Sequence, residues 1–240
     1  MPQIRYVIIF NARMGSTHLT ALLRSHPQIH ARGEVLGRAR REGLDATAQH
    51  DAAYHALEAA PRYRVVGFKT KLRDVLFGLD AFTALLTDRD VRVIHLDRHN
   101  AVKHAVSVIN ARRLAERGVR GGKLTDESDR LPPAAIDPRE LREIMETRAE
   151  AHRETRKYVE GLDRPLERVA YEDLLADSAG VVARLFRFLG VQPHTASSGV
   201  LKNTPDDLRR AVSNFDELRS AFAGTRYEAM FDGGSATTRF

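Results

Sequence analysis

Four residues in the stretch NARMGSTH, positions 11–18, have the chemistry to hold an anion. Gly15 lets backbone amides approach a charged oxygen, and Ser16 and Thr17 bring hydroxyls. Arg13 brings a guanidinium that matches phosphate or sulfate oxygens two at a time. A helix beginning here would add its first amides and its dipole. A nucleoside-triphosphate loop, G-x-x-x-x-G-K-[ST], also carries a lysine for the outer phosphates. This stretch has one glycine and no Gly-Lys pair. Taken alone, it reads equally well as an ordinary N-capped helix start. A second cluster, HLDRHNAVKHAVS (95–107), puts Arg98 just after an apolar run and Ser107 on the polar side of a helical pattern. Two anion sites of this kind suit a ligand with two separated phosphates.

The elements that must position these residues follow from periodicity. IRYVIIF (4–10) reads as a buried strand, with RVVGFK (64–69), VRVIHL (91–96) and LERVA (166–170) as further strands. STHLTALLRS (16–25) reads as a helix with Leu19, Leu22 and Leu23 on one face, and DAFTALLTD as a short helix capped by Asp80. NAVKHAVSVINARR is helical, with Val102, Ala105, Val106 and Ile109 on its apolar side and Asn100, Lys103, His104 and Ser107 on its polar side. DPRE (137–140) opens a helix that runs to about Gly161. AGVVARLFRFLG, PDDLRRAV and DELRSAF close the chain as helices. Between them, 118–137 holds three glycines and two prolines and reads as a flexible loop insertion. Strands alternating with helices predict an α/β, P-loop-like three-layer fold, a central parallel sheet flanked by helices, in one domain spanning 1–240. In such folds ligands bind at the carboxyl ends of the strands, where 11–17 and 97–100 fall.

Composition narrows the function classes. The 240 residues are 42% hydrophobic and 29% charged, as in an ordinary globular protein, and no apolar run is long enough to span a membrane. The opening apolar run is too short for a signal-peptide core, which favours a cytoplasmic protein. Zero cysteines exclude disulfides, thiolate metal sites and a cysteine nucleophile. The formal charge is +6, but the arginines are dispersed, tryptophan is absent and aromatics make up 7%, so nucleic acid is not the expected partner. A small, highly charged anion is. No metal is expected, because fixed cations and helix termini can neutralise the anion's charge.

With these residues in place, the sequence resembles the sulfotransferases that use 3′-phosphoadenosine 5′-phosphosulfate (PAPS). In that family a [KR]-x-G-[ST]-[ST] loop after the first strand holds the 5′-phosphosulfate; here it stands as Arg13-Met14-Gly15-Ser16-Thr17. A strand-end arginine and a helical serine hold the 3′-phosphate; here they are Arg98 and Ser107. His18 beside the loop and Tyr171 in YEDL join the donor-binding residues implied, the tyrosine by touching adenine. The loop arginine, HARGEVL and HLDRHNAVKHAVS look most like the bacterial carbohydrate branch, which includes nodulation-factor and trehalose enzymes. GFK, YEDL, FLGV and SNFDEL extend the resemblance from residue 4 to about 231. The cytosolic branch has a catalytic histidine in a K-T-H stretch; here Lys69-Thr70-Lys71 stands in its place. That branch's C-terminal R-K-G clamp is also missing, with Lys202 a partial substitute. The bacterial branch uses a glutamate soon after the first helix, and Glu34 matches that position.

The resemblance implies in-line sulfuryl transfer from PAPS to a hydroxyl of a small-molecule or carbohydrate acceptor. Arg13 would neutralise the leaving phosphate, Lys69 would add a second cation, and Glu34 would accept the acceptor's proton. Read without the family, Glu34 is a surface glutamate beside a glycine. Two alternatives stay open from the residues: an ATP-dependent kinase of the same layered architecture, and a nucleotide-binding module without the reaction. Acceptor contacts are expected from the loops at 35–60 and 118–137. The acceptor's identity and the oligomeric state do not follow from the sequence.

Overall fold

The computed structural model describes residues 3–58, 60–119, 130–200, 204–205 and 207–233. Their elements run β1 (Ile4–Phe10), α1 (Ser16–Arg24), β2 (Ile29–Glu34), α2 (Val35–Arg41), α3 (Ala46–Glu58), β3 (Val65–Thr70) and α4 (Leu79–Asp88). There follow β4 (Val91–Asp97), α5 (Ala101–Glu116), α6 (Pro138–Glu160), β5 (Leu166–Ala170), α7 (Tyr171–Ala176), α8 (Ser178–Phe188), α9 (Phe215–Ala221) and α10 (Glu228–Phe231). The chain divides into two compact units, Met1–Asp97 with Arg153–Gly199, and Arg98–His152 with Val200–Phe240.

The first unit is built on a five-stranded, all-parallel sheet in the order β2-β3-β1-β4-β5. β1 is apolar on both sides because both of its faces are covered, the usual condition of a central parallel strand. Tyr6, Ile8 and Phe10 pack with Leu19, Leu22 and Leu23 of α1 and Leu185 and Phe186 of α8. Val7 and Ile9 face the opposite way, onto Leu36, Ala53, Leu57, Phe82 and Leu85. The expected three-layer arrangement is therefore present. Gly67 is required at its place beside β1, since a Cβ there would lie 2.3 Å from the Tyr6 carbonyl oxygen and 2.4 Å from its ring.

Several elements depart from the sequence reading. β2 was not expected, and 35–58 forms α2 and α3 rather than a loop. α4 is capped by Gly78 in a left-handed conformation, φ 87°, with Asp80 inside its first turn. PDDLRRAV gives only a 3-10 turn, Leu208–Arg210, capped by Asp207. No described helix is long and apolar enough to cross a membrane.

The second unit gathers Val102, Val106 and Ile109 of α5, Leu141 and Met145 of α6, and Phe215, Phe222 and Phe231 into a core of its own. Asn100 caps α5 by accepting from the Lys103 amide at 2.8 Å, and its Nδ2 donates to the Met230 carbonyl. Asp137 caps α6 as DPRE predicts, accepting from the Arg139 amide at 2.8 Å. Of the expected loop, 120–129 lie outside the described residues. The part that follows is anchored: Ala134 bridges to Val212, Ile136 is buried, and the Ile136 amide donates to Asn214 Oδ1.

Candidate functional site

The site in the first unit begins where β1 ends. Arg13 (φ 69°) and Gly15 (φ 80°) both adopt left-handed backbone, folding 11–15 into a tight loop. Gly15 is the N-cap of α1, so Ser16 and Thr17 are its first helical residues and not its caps. Glycine brings no side-chain acceptor to the first amides, which is the arrangement an anion site uses. Tyr171, the first residue of α7, lies over this turn: a Cβ at position 15 would sit 2.3 Å from its Cδ2. Glycine is thus needed twice, for its φ and for the tyrosine ring.

The lysine absent from the loop comes from the neighbouring strand. β3 pairs with β1 with Lys69 opposite Ile8, so Lys69 projects toward the loop at the strand's carboxyl end. Its Nζ donates to Ser16 Oγ and Thr17 Oγ1, both at 3.1 Å. It lies 5.4 Å from the centre of the Phe10 ring, whose face favours a cation. Lys69 is almost fully buried.

Glu34 reaches the same place through an irregularity. Ala31 pairs with Gly67 and Glu34 with Lys69, so three steps along β2 match two along β3. One extra residue reverses the side on which the next side chain emerges, and bulges commonly re-aim a side chain beside a functional site. Glu34 Oε1 lies 3.9 Å from Lys69 Nζ, and Oε2 forms a close ion pair with Lys71. Lys71 Nζ also faces Asp74 Oδ2 at 3.0 Å, as an ion pair. Burial alone would raise the Glu34 carboxyl; the Lys71 hydrogen bond and charge, with Lys69 and Arg41, outweigh it and hold it below its ordinary 4.5. Glu34 is accordingly ionised at neutral pH.

The turn carrying Asp74, Leu72–Asp74, is fixed by a buried glutamine. Gln49 Nε2 donates to the carbonyls of Leu36 (3.2 Å) and Asp74 (2.8 Å), while its Oε1 accepts from the Leu76 amide (2.7 Å). Neither Gln49 nor Asp74 was singled out from sequence, because a lone glutamine in an Ala-rich stretch carries no signal.

The remaining expected residues fall as follows. His18 Nδ1 is within 3.0 Å of Ser198 Oγ. His30 stacks on Tyr63, and burial first, then Arg32, Arg24 and Arg62, lower its pKa and favour the neutral ring. Arg98 and Ser107 belong to the second unit and are both buried. The polar side of α5 is no solvated face: His104, Ser107 and Asn110 are all buried, and His104 stacks on His152 with ring centres 5.1 Å apart. Buried polar groups of this kind demand partners and so mark more than a surface helix. Lys202 lies outside the described residues.

No family model matches the chain. Among characterised proteins it is 25% identical over 237 residues to Nodulation protein H of Rhizobium tropici, covering 95% of this chain and 92% of that one. Among solved structures it resembles a sulfotransferase from Alicyclobacillus acidocaldarius, with a TM-score of 0.52, 17% identity and 97% of each chain covered. The chain has the sulfotransferase fold. Within that fold the loop 11–17, Lys69 and Glu34 lie together at the carboxyl ends of β1, β3 and β2, where ligands bind in open parallel sheets.

Proposed function

We propose that this sulfotransferase-fold protein moves a sulfuryl group from PAPS to a hydroxyl of a small-molecule or carbohydrate acceptor, residues 1–240 acting as one catalytic domain. The loop Arg13–Thr17 takes the 5′-phosphosulfate, and the sequence resemblance assigns the 3′-phosphate to Arg98 and Ser107. The observation that carries this reading is Lys69, which bonds both loop hydroxyls at 3.1 Å while standing 3.9 Å from Glu34. One fixed cation thus joins an anion-binding helix start to a carboxylate.

The acceptor oxygen attacks sulfur, and a new S–O bond forms as the bond from sulfur to the phosphate oxygen breaks. The electron pair leaves with that oxygen, and the acceptor's proton passes to Glu34. Arg13 and Lys69 face the negative charge that builds on the departing phosphate and on the sulfonate oxygens, so they act most strongly in the transition state. The low pKa of Glu34 keeps it deprotonated and ready. It also makes Glu34 a weak base, which suits proton transfer that comes late, once the acceptor oxygen has begun to bond to sulfur.

The test is a screen of hydroxyl acceptors with isotopically labelled donor, read by mass shift, using wild type and Glu34→Gln in parallel. Wild type should sulfate at least one acceptor. Glu34→Gln should keep donor affinity and lose about 10²–10⁴-fold in kcat, the scale of a general base. A variant within a few-fold of wild type would remove Glu34 from the mechanism.

A further inference from the structure

The acceptor's chemistry is written in the wall next to Glu34. A cavity of about 390 Å³ opens there, lined by Arg32, Gly33 and Glu34 at the end of β2, Arg38 and Glu42 of α2 and its cap, and His55 of α3. That volume falls in the range of small-molecule sites. None of its lining residues is Phe, Tyr or Trp, and the ring it offers is the polar His55 imidazole, a poor match for a phenolic acceptor. Gly33 keeps the floor clear, since a Cβ there meets nothing within 4 Å.

Charge decides what the cavity takes. Both of its carboxylates are engaged, Glu34 by Lys71 and Glu42 by Arg38 at 2.7 Å. Arg32 is different. It is half-buried, and among the described residues no carboxylate lies within ion-pair distance of it. Its charge is felt instead by His30, whose protonation it opposes. A partly desolvated guanidinium at a cavity wall, without a counter-ion, is a poor device for stability and a good one for capturing a planar or tetrahedral anion.

We propose that this cavity is the acceptor subsite and takes a hydroxylated acceptor that also carries an anionic group, held by Arg32 while its hydroxyl meets Glu34. Arg32 and Glu34 line one cavity from positions two residues apart, so a single acceptor can meet both. The proposal rests on the reading of Glu34 as the acceptor-side base. It adds a class: sugar acids or sugar phosphates over neutral sugars and phenols.

Three matched acceptors test it, at saturating PAPS: methyl glucoside, methyl glucuronide and methyl glucoside 6-phosphate. Wild type should prefer one or both anionic sugars in kcat/KM, and the carboxylate and phosphate arms show which anion fits. Arg32→Ala should shrink that preference by roughly 10- to 100-fold, the worth of a charge-assisted hydrogen-bonded contact, and Arg32→Lys should restore part of it. The affinity for 3′,5′-bisphosphoadenosine (PAP), measured alongside, should stay within twofold in both variants. A preference for the neutral sugar, a preference that survives Arg32→Ala, or transfer to none of the three with PAP binding intact would overturn the anionic class. Loss of PAP binding in wild type would instead overturn the donor reading beneath it.

Discussion

Lys71 shows how one side chain sets the state of another. It stands where the sequence resemblance leads one to expect a histidine, and the structure gives it to Glu34 and Asp74 as an ion-pair partner. Burial is the largest single influence on the Glu34 carboxyl and pushes its pKa up; Lys71, with Lys69 and Arg41, outweighs it. Lys71→Met should therefore move the acid limb of the kcat/KM profile upward. The stability sign is the same. A depressed carboxyl contributes stability above its unfolded pKa and loses it as pH falls through the folded value, so the wild-type advantage over Lys71→Met should be full at pH 7 and vanish on acidification. Activity profiles and melts at several pH values check both. An acid limb that does not move would show that Lys71 leaves the Glu34 proton alone. The sequence made Glu34 legible only through its family position; the Lys71–Asp74 partnership stayed hidden because it depends on a 3-10 turn that no periodicity announces.

Elements hold these side chains at registers that single residues cannot set. Gln49 ties α2, α3 and the Leu72–Asp74 turn together through three backbone groups. Gln49→Ala would take a hydrogen-bond partner from each of those groups, at about 1–3 kcal/mol for each one left buried and unpaired. A urea denaturation midpoint lowered by a cost of that order, with PAP affinity retained, is the expected outcome; an unchanged midpoint would mean that the turn is held by other contacts. The strands β1, β3 and β4 were readable because burial on both faces writes long apolar runs. β2 was not, for IHARGE has few large apolar residues and lies at the sheet edge, where pairing rather than burial makes the strand. α3 escaped for a related reason: its buried positions are Gln49, Ala53, Ala56 and Leu57, a stripe too small to stand out. The bulge that turns Glu34 toward Lys69 has no sequence signature at all.

At the scale of the molecule, the two compact units are each assembled from two separate segments, so no linker composition marks them and the sequence reads as one run of alternating elements. The excess positive charge, +6, is consistent with a small polyanion as ligand. If this anion is PAPS, with phosphates at the 5′ and 3′ positions, calorimetric titration of the wild-type chain reveals it without needing the acceptor. PAP, adenosine 5′-phosphate and ATP with magnesium are titrated under one set of conditions. PAP should bind saturably, adenosine 5′-phosphate should bind more weakly by roughly tenfold or more for the lost charge-assisted contacts, and ATP with magnesium should not compete. Equal affinity for PAP and adenosine 5′-phosphate, or tighter binding of ATP with magnesium, would contradict the PAPS reading.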